Sequence, residues 1–300
     1  MNGKISDISM PDPVEMADAF CRYGADMPSA PVVISVPHAG RNYDAETLSR
    51  AAVPLETLYR LEDRFADLLA HDLIAMGHAV IIARQPRALI DLNRHEWEFD
   101  PDMIVRLPRE AVVRGSAKVR AGLGLVPRRL GGRTPLWRSA LPWSELQERI
   151  ARLHRPYHEA LGQMLKRAKS QFGSALLIDL HSMPPLLPSF AGGKPAEAVV
   201  GDLFGRSAST RISALAADML RSRGLEVAHN HPYSGGHLLE RHGRPDSGVH
   251  AIQIELSRAL YLDAALLQPG EGVQTMRKVV TELVGLMAEE LAPRWDIAAE

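Results

Sequence analysis

Residues 32–38 read Val-Val-Ile-Ser-Val-Pro-His, and residues 176–182 read Leu-Leu-Ile-Asp-Leu-His-Ser. Each stretch is an apolar run that leads into a histidine. Runs rich in Val, Ile and Leu between helical stretches are typical of parallel strands that are buried on both faces. In an open α/β sheet the ligand site lies outside the carboxyl ends of such strands. His38 and His181 are therefore predicted to meet in one crevice, although they lie far apart in the chain.

Helical and extended patterns alternate along most of the chain. Residues 55–76 carry apolar side chains at helical spacing, which predicts an amphipathic helix that ends at Gly77. Strands that alternate with helices predict the α/β class, in a three-layer arrangement where helices cover both faces of a mostly parallel or mixed sheet. The predicted strands are 31–37, 79–83, 175–180, 225–229 and 249–256, and residues 88–92 are predicted to be a short strand or an extended run. The predicted helices are 55–76, 144–172, 209–223 and 270–291.

Three segments lack such periodicity. Residues 1–30 are predicted to be a loosely structured lead-in, with a short helix around residues 13–23. Residues 100–140 are rich in Arg, Gly and Pro, and long loops of this kind are usually functional lids or binding loops, or else disordered. Residues 183–205 form a second predicted loop. No linker interrupts the chain, so we expect a single catalytic domain over residues 1–300.

The composition excludes several classes of protein. The net charge of −1 provides no basic field to attract nucleic acid or a membrane surface. A single cysteine, Cys21, excludes an intrachain disulfide and fits a reducing compartment. No apolar stretch reaches the roughly 18 residues that span a bilayer, and the first residues lack the apolar core of a secretory signal. We therefore expect a cytoplasmic protein that binds neither nucleic acid nor membranes.

A metal site built on two histidines needs a further protein ligand. No Asp or Glu lies within three residues after His38, so the carboxylate must come from elsewhere. The acidic pair Glu62 and Asp63 follows in the next predicted helix, where carboxylates usually face solvent. Asp63 is the preferred candidate and Glu62 the alternative. Together with His38 and His181, this carboxylate predicts one metal ion per chain.

Two further segments place charged residues beside apolar runs. Arg87 and Arg94 bracket a short apolar run and can converge at one strand end, where a planar guanidinium matches a carboxylate; a surface salt-bridge network is the alternative. On the last predicted strand, Glu255 lies among apolar neighbours, and a charged residue is rarely buried unless it is paired. A carboxylate there can act as the general base for a metal-bound water, or it can form a core salt bridge with an arginine such as Arg258.

A histidine-rich stretch occupies residues 229–242. Its spacing is not a standard zinc pattern, because Pro232 and the two glycines before His237 indicate a turn. We interpret it as a loop that contacts the substrate or shapes its pocket, with His237 as a candidate substrate-binding residue. Ligation of a separate metal ion by this stretch is the alternative.

Seven short motifs occur in order along the chain. They are Ser-Val-Pro-His-Ala-Gly at 35–40, Asp-Leu-Asn-Arg at 91–94, Arg-Ala-Gly-Leu-Gly at 120–124, Pro-Tyr-His at 156–158, Asp-Leu-His-Ser at 179–182, Pro-Tyr-Ser-Gly-Gly at 232–236 and Gly-Val-His-Ala-Ile-Gln-Ile-Glu at 248–255. Together they resemble the N-formylglutamate amidohydrolase (N-formylglutamate deformylase) family over roughly residues 31–290.

This resemblance implies a fold and a catalytic centre. The family is similar to the zinc carboxypeptidases and to the aspartoacylase and succinylglutamate desuccinylase group. Those enzymes share a phosphorylase/hydrolase-like α/β sheet, a His–carboxylate–His zinc site and a catalytic Glu on a late strand. Carried onto this chain, the resemblance implies His38 and His181 as zinc ligands and Glu255 as the general base.

The resemblance also implies roles for the polar residues around the metal. Asn93 and Arg94 would hold the substrate carboxylate, and Arg87 would polarise the scissile carbonyl or bind a second carboxylate. The third ligand departs from the carboxypeptidase pattern, because this chain has Arg41 where those relatives have their carboxylate, three residues after the first histidine. Asp63 is similar in placement to an aspartate of the deformylase family and is assigned as the ligand.

These observations predict a metal-dependent amidohydrolase with one zinc ion per chain. The expected reaction converts N-formyl-L-glutamate and water to L-glutamate and formate. Deacylation of another N-acyl amino acid or peptide is one alternative. A non-catalytic protein that captures carboxylated metabolites through Arg87 and Arg94 is the other. The expected partner is therefore a small-molecule N-acyl amino acid, and the sequence leaves the oligomeric state open.

Overall fold

An eight-stranded mixed sheet forms the centre of the computed structural model, which describes residues 10–131, 134–188 and 192–292. Within these ranges the strands are β1 (Glu15–Met16), β2 (Phe20–Tyr23), β3 (Val32–Val36), β4 (Ala79–Ala83), β5 (Ile104–Val105), β6 (Arg129–Leu130), β7 (Thr134–Pro135), β8 (Leu141–Pro142), β9 (Ala175–Met183), β10 (Ala198–Gly201), β11 (Val227–His229) and β12 (Val249–Ser257). The order in the large sheet is β1-β2-β4-β3-β9-β12-β10-β11.

The α-helices of the described residues lie between these strands or follow them. They are α1 (Ala45–Arg50), α2 (Leu55–Leu58), α3 (His71–Ala75), α4 (Ala117–Arg120), α5 (Trp143–Arg149), α6 (Arg155–Phe172), α7 (Thr210–Ser222), α8 (His237–His242) and α9 (Val273–Leu291). A π-helical turn, Ile150–His154, joins α5 to α6, and two 3-10 segments, Tyr59–Leu61 and Ala66–Ala70, lie between α2 and α3. None of these helices is long and apolar enough to cross a bilayer.

Four parallel strands make up the middle of the sheet. β4, β3, β9 and β12 are neighbours in parallel register, and antiparallel partners flank them on both sides, β2 beside β4 and β10 beside β12. Every residue of β3, β4 and β9 is buried, as expected for strands covered on both faces. The prediction of a mixed α/β sheet is thereby confirmed.

Helices cover both faces of the sheet because alternate strand residues point to opposite sides. Ile34 and Ile178 belong to a core that α3, α7 and α9 complete on one face. Val33 and Leu177 belong to a second core that α5 and α6 complete on the other. Each of these four side chains is fully buried. The result is the three-layer arrangement that the alternating pattern predicts.

The predicted helix over residues 55–76 is wrong in its middle. The helical conformation is interrupted at residues 62–65, between the two 3-10 segments, and Phe65 there adopts a left-handed φ of 59°. The backbone amide of Asp63 donates a hydrogen bond to the His38 carbonyl at 2.9 Å. The apolar spacing marks the buried side correctly, but this contact with the end of β3 draws the acidic pair out of a helical path.

Three other predicted elements need correction. Residues 13–23 form the hairpin of β1 and β2 instead of a helix, because Phe20 and Tyr23 are buried where β2 pairs with β4. Residues 88–92 turn instead of forming a strand, and the Asp91 amide bonds to the Leu125 carbonyl. The loop predicted at 183–205 contains the strand β10, which at four residues is too short to stand out between prolines and glycines.

The predicted loop at 100–140 and the predicted lead-in at 1–30 can be compared with the structure only in part. The described residues of the 100–140 segment carry short elements, among them α4, the pair β6–β7, and β5, whose partner β8 lies just beyond the segment. Residues 1–9 of the expected lead-in lie outside the described residues. A single domain over residues 1–300 stays a prediction.

Candidate active site

Strand register gathers the predicted catalytic residues at one edge of the sheet. His38 follows β3, and His181 lies near the end of β9. On the neighbouring strand β12, Glu255 is the register partner of His181. The ring centroids of His38 and His181 are 4.7 Å apart. Three adjacent parallel strands thus deliver these side chains to the carboxyl edge, where α/β sheets bind ligands.

Asp63 lies between the two histidines. Its Oδ2 is 2.8 Å from His181 Nδ1 and 3.4 Å from His38 Nδ1. All three residues are buried, and their candidate ligand atoms lie within 4.8 Å of one another. These side chains can therefore bind a metal ion together.

The neighbouring carboxylate, Glu62, faces elsewhere. Its Oε1 accepts a hydrogen bond from the Tyr43 hydroxyl at 2.7 Å, and its Oε2 accepts one from Arg64 at 2.8 Å. Both oxygens are thus engaged away from the histidines. The interruption of the helix at residues 62–65 turns Asp63, and not Glu62, toward the two histidines.

A second pair of carboxylates fixes the two histidine rings. His38 Nε2 donates to Asp91 Oδ1 at 2.7 Å, and His181 Nε2 donates to Asp179 Oδ2 at 2.8 Å. In metal sites the outer ring nitrogen of a ligating histidine is usually held in this way, which sets the tautomer and the ring orientation.

The histidine Nδ1 atoms, which face Asp63, indicate whether a metal ion fits this site. His38 Nδ1 is buried and has no hydrogen-bond partner among the described residues, which is unusual for a polar atom in a protein interior. Two imidazole nitrogens and one carboxylate oxygen are also a common ligand set for zinc, with a further position left for water. The residues present therefore fit a zinc-like transition metal.

Asp63 and Asp91 are ionised at neutral pH. Burial opposes this, but the hydrogen bond from His181 and the charges of His181 and His38 hold the pKa of Asp63 well below its usual range. Burial likewise opposes ionisation of Asp91, and the charges of Arg87 and His38 hold its pKa well below the usual range. The site is therefore rich in negative charge close to the two rings, which favours a cation there.

Glu255 differs from these acids. Burial raises the pKa of Glu255 to about 7, against the opposing charge of His181. Gln253 Nε2 donates a hydrogen bond to Glu255 Oε1 at 2.9 Å and so fixes the carboxylate. Arg258, the alternative partner considered for Glu255, instead contacts Asp63 Oδ1 at 3.2 Å. A carboxyl group with a pKa near neutrality is suited to accept and return a proton.

A cavity of about 210 Å³ opens in front of these residues. Part of its wall comes from the irregular 100–140 segment and from the turn at 232–236. The side chains of His38, Asp63, His181 and Glu255 reach its surface, so a small molecule in the cavity would meet the candidate metal site and the candidate base together. The basic side chains that line it are Arg60, Arg87, Arg94, Lys118 and Arg258.

The predicted substrate-binding residues Asn93 and Arg94, and Arg87 beside them, also line the cavity. Arg87 Nε donates to Asp91 Oδ2 at 2.9 Å, so this arginine also supports the carboxylate that orients His38. Arg94 Nε donates to the Leu123 carbonyl at 3.0 Å. These bonds hold both guanidinium groups at the cavity wall.

Asn93 has a structural bond of its own. Its Oδ1 accepts a hydrogen bond from the Leu238 amide at 2.9 Å, at the start of α8. Its Nδ2 lies 3.3 Å from His181 Nε2 and 3.4 Å from Gln253 Oε1. Asn93 therefore links the segment after β4 to α8 as well as facing the cavity.

His237 does not line the cavity, although residues 232–236 do. Helix α8 begins at His237, directly after Gly236 packs against the Asn93 amide, and this start directs the imidazole into the protein. Substrate binding by His237 therefore stays a prediction. Its ring packs instead against those of His95, His154 and His158.

Several site residues were not singled out from the sequence. Asp179 precedes His181 by two positions on a predicted strand, so the sequence already indicates that both side chains lie on the same strand face. Asp91 lies inside a quoted motif, yet its contact with His38 requires the turn at 88–92. Lys118 lies in the four-residue helix α4 and Tyr233 in a turn. Neither stretch is long enough for periodicity to indicate which side chains point inward.

Comparison with known sequences gives a consistent result. A sequence model described as N-formylglutamate amidohydrolase matches residues 30–262. The chain is 30% identical over 266 residues to N-formylglutamate deformylase of Pseudomonas aeruginosa, which covers 85% of this chain and 91% of that protein. It is 30% identical over 241 residues to N-formylglutamate deformylase of Pseudomonas putida, covering 78% and 82% respectively.

Comparison with solved structures agrees. The crystal structure of N-formylglutamate amidohydrolase from Ralstonia eutropha JMP134 has a TM-score of 0.83 and 31% identity, over 91% of this chain and 98% of that one. A gene product of Agrobacterium tumefaciens has a TM-score of 0.60 and 20% identity, over 91% and 94% of the two chains. The second likeness supports the fold alone.

Proposed function

The chain belongs to the N-formylglutamate amidohydrolase family, and from this premise we propose that it hydrolyses N-formyl-L-glutamate to L-glutamate and formate with one zinc ion per chain. It is an amidohydrolase, an enzyme that cleaves amide C–N bonds. One observation carries the proposal: Glu255 reaches the same cavity as His38, Asp63 and His181, and basic side chains line that cavity.

His38, Asp63 and His181 would hold the zinc ion. When bound, zinc supplies a Lewis acid that lowers the pKa of water and polarises a carbonyl oxygen. Asp91 and Asp179 keep the two imidazole rings oriented through their outer nitrogens, so the ligand atoms are in place before the ion binds.

Glu255 carries the proton transfers. Its carboxylate accepts a proton from the water that attacks the formyl carbon. It then donates that proton to the amide nitrogen as the C–N bond breaks, which leaves formate and a free amine. Gln253 holds Oε1 during both steps, and the pKa of about 7 allows the carboxyl group to take and return the proton near neutral pH.

The basic wall of the cavity supports an anionic substrate. Burial and the charges of Arg94 and Arg87 lower the pKa of Lys118, so these cations repel one another across the cavity. A substrate with two carboxylates would relieve this repulsion, and N-formylglutamate carries two. We assign the α-carboxylate to Arg94 with Asn93, and oxyanion or second-carboxylate stabilisation to Arg87.

The proposal is tested with purified protein and a panel of N-formyl and N-acetyl amino acids, with formate or acetate and free amine measured as products. N-formyl-L-glutamate should give the highest kcat/KM. Glu255→Gln should keep the metal and the fold but lose about 10²–10⁴ in kcat, because the amide cannot accept the proton. Near-normal turnover by Glu255→Gln would contradict the assignment of the base.

The same panel decides between the proposed reaction and its alternatives. Preference for an N-acetyl or a neutral side-chain substrate would favour deacylation of another N-acyl amino acid. Carboxylate binding without turnover would favour the non-catalytic alternative, against which both the relatives and the retention of Glu255 argue. A cytoplasmic location stays a prediction that rests on cysteine usage.

A further inference from the structure

A second group of histidines lies buried away from the cavity wall. The rings of His154, His158 and His237 are each at most 8% exposed, and one nitrogen of each lies within 4.8 Å of the others. Ring centroids in this group are 4.4 Å to 5.9 Å apart. None of these residues takes part in the proposed hydrolysis.

The backbone gives two of these histidines a spacing that suits a metal. His154 ends the π-helical turn and His158 lies in the first turns of α6, four residues later. Histidines at i and i+4 lie on one helix face and can ligate one ion, as zinc-protease helices show. π-Helical turns inside α-helices occur frequently at functional sites. His237 approaches from the start of α8, which supplies a third direction.

The hydrogen bonds fix which nitrogens are available. His154 Nε2 donates to the Arg94 carbonyl at 2.8 Å, and His158 Nε2 donates to the Leu92 carbonyl at 3.0 Å. Because a carbonyl only accepts, the proton of each neutral ring is on Nε2, which leaves the Nδ1 lone pair unprotonated. His158 Nδ1 lies 3.0 Å from His242 Nε2, and a metal ion bound at this nitrogen would replace that hydrogen bond.

Three of the remaining nitrogens are buried without a partner. His154 Nδ1 and both ring nitrogens of His237 have no hydrogen bond within the described part of the chain. Leaving a buried polar atom unpaired costs about 1–3 kcal/mol, and such atoms call for an explanation. Water could satisfy one of them, but a metal ion would engage all three rings at once.

The charge around the cluster restricts the kind of ion. Burial lowers the pKa of His154 to about 4 and that of His237 to about 2, so both rings are neutral at pH 7, the state in which imidazole ligates. Arg241 adds positive charge nearby, and the ligand group consists of histidines alone, with Glu240 Oε2 3.9 Å from His237 Nδ1 but outside the group. Ca²⁺ and Mg²⁺ prefer oxygen ligands, whereas imidazole suits zinc, copper and nickel.

We propose that His154, His158 and His237 bind a second, structural transition-metal ion, with zinc as the first choice. The ion would lock the rings that hold the Leu92 and Arg94 carbonyls. Those carbonyls belong to the segment that carries Asp91, Asn93 and Arg94. The second ion would therefore stiffen the loop that orients His38 and faces the substrate, without itself touching the substrate.

The test is metal stoichiometry by mass spectrometry after equilibration with buffered Zn²⁺ and removal of free ion. The full-length protein should retain two zinc ions per chain. His237→Phe and His181→Ala should each retain one, because each removes a ligand from a different site. His95→Gln is the matched control; it removes a ring that contacts His237 but lies outside the ligand set, and it should retain two.

Circular dichroism and thermal melting check that each variant folds, and His154→Gln is the second variant if His237→Phe does not. Titration of metal-free protein with Co²⁺ should give two sets of visible bands, of which His237→Phe retains one. One zinc ion in the unmodified protein that His181→Ala loses and His237→Phe keeps, or two in folded His237→Phe, would overturn the second site. Because no readout is turnover, this outcome is independent of the proposed reaction.

Discussion

Asp63 was predicted as a metal ligand because no acidic residue closely follows His38 in the sequence. The sequence offers no carboxylate just after His38, and the fold supplies one by breaking the expected helix at residues 62–65. Asp63 Oδ2 then faces both histidines, while Oδ1 accepts from Arg258. Its neighbour Glu62 is bound by Tyr43 and Arg64, so the two acids have separate roles.

This difference predicts the behaviour of two variants. Asp63→Ala should weaken zinc retention by at least tenfold, since loss of a residue that only supports a ligand already costs about 10–100-fold in affinity and Asp63 would be a direct ligand. Glu62→Gln should retain zinc as the native protein does. Competition against a chelator of known affinity measures both. Unchanged affinity in Asp63→Ala would place the third ligand elsewhere.

Arg94 carries a prediction about recognition. Arg94→Lys keeps the charge but loses the planar fork, so we expect kcat/KM to fall by about tenfold or more for a substrate with a free α-carboxylate. The assay compares an N-formyl amino acid with its α-carboxamide. The native enzyme should strongly prefer the acid, and the variant should lose much of that preference. Equal discrimination by both proteins would shift carboxylate recognition to Arg87 or Lys118.

At the scale of elements, the buried parallel strands were predictable and the polar connections were not. β3, β4, β9 and β12 fall where their apolar runs indicate, because burial on both faces leaves an uninterrupted pattern. The prediction of one helix over residues 55–76 was wrong because apolar spacing indicates which side is buried and not whether the backbone stays helical. The β10 strand and the turn at 88–92 depend on contacts with distant segments, which local sequence does not contain.

Two glycines give a matched pair of predictions for the elements around the site. A Cβ on Gly236 would lie 2.5 Å from Asn93 Oδ1, so Gly236→Ala should disturb the junction of α8 and destabilise the protein by about 1–3 kcal/mol. Gly285 lies within α9 with open space around its Cβ position, so Gly285→Ala should stabilise by about 0.5–1 kcal/mol. Urea unfolding measures both, and a neutral Gly236→Ala would contradict the tight contact.

At the scale of the whole molecule, one buried carboxylate ties the far edge of the sheet together. Asp202 follows β10 and is 1% exposed. It accepts hydrogen bonds from Ser213 on α7 at 2.6 Å and from Asn230 after β11 at 2.8 Å. Burial alone would raise the pKa of Asp202, but these bonds outweigh burial and leave the pKa below its ordinary value.

The lowered pKa fixes the direction of a pH dependence. A carboxyl group with a depressed folded-state pKa stabilises the protein above its unfolded pKa, near 4, and this contribution is lost as the pH falls through the folded value. Asp202→Asn should therefore cost about 1–3 kcal/mol at pH 7 and less at pH 3. Urea midpoints at both pH values measure this, with the exposed Asp218→Asn as control. A difference that does not narrow in acid would contradict the assignment.

Across the whole chain, the sequence supports the class of fold and most of the candidate catalytic residues, for one physical reason. Parallel strands end at a common edge, so His38, His181 and Glu255 can be placed together without knowledge of any loop. The position of His237 outside the cavity lining depends on how α8 begins, which the local sequence does not contain. Lys118 was missed because the segment that carries it has no period to interpret.

The parallel register of β3, β9 and β12 also has a consequence for how the protein reaches its folded state. His38 and Glu255 come from opposite halves of the chain. His38 precedes His181 by well over a hundred residues, and Glu255 follows it by more than seventy, so long crossovers must close before these side chains meet. Contacts of such high sequence separation form slowly, because loop-closure entropy is lost before they stabilise anything. The candidate ligand set of His38, Asp63 and His181 is therefore complete only after β3 and β9 have paired.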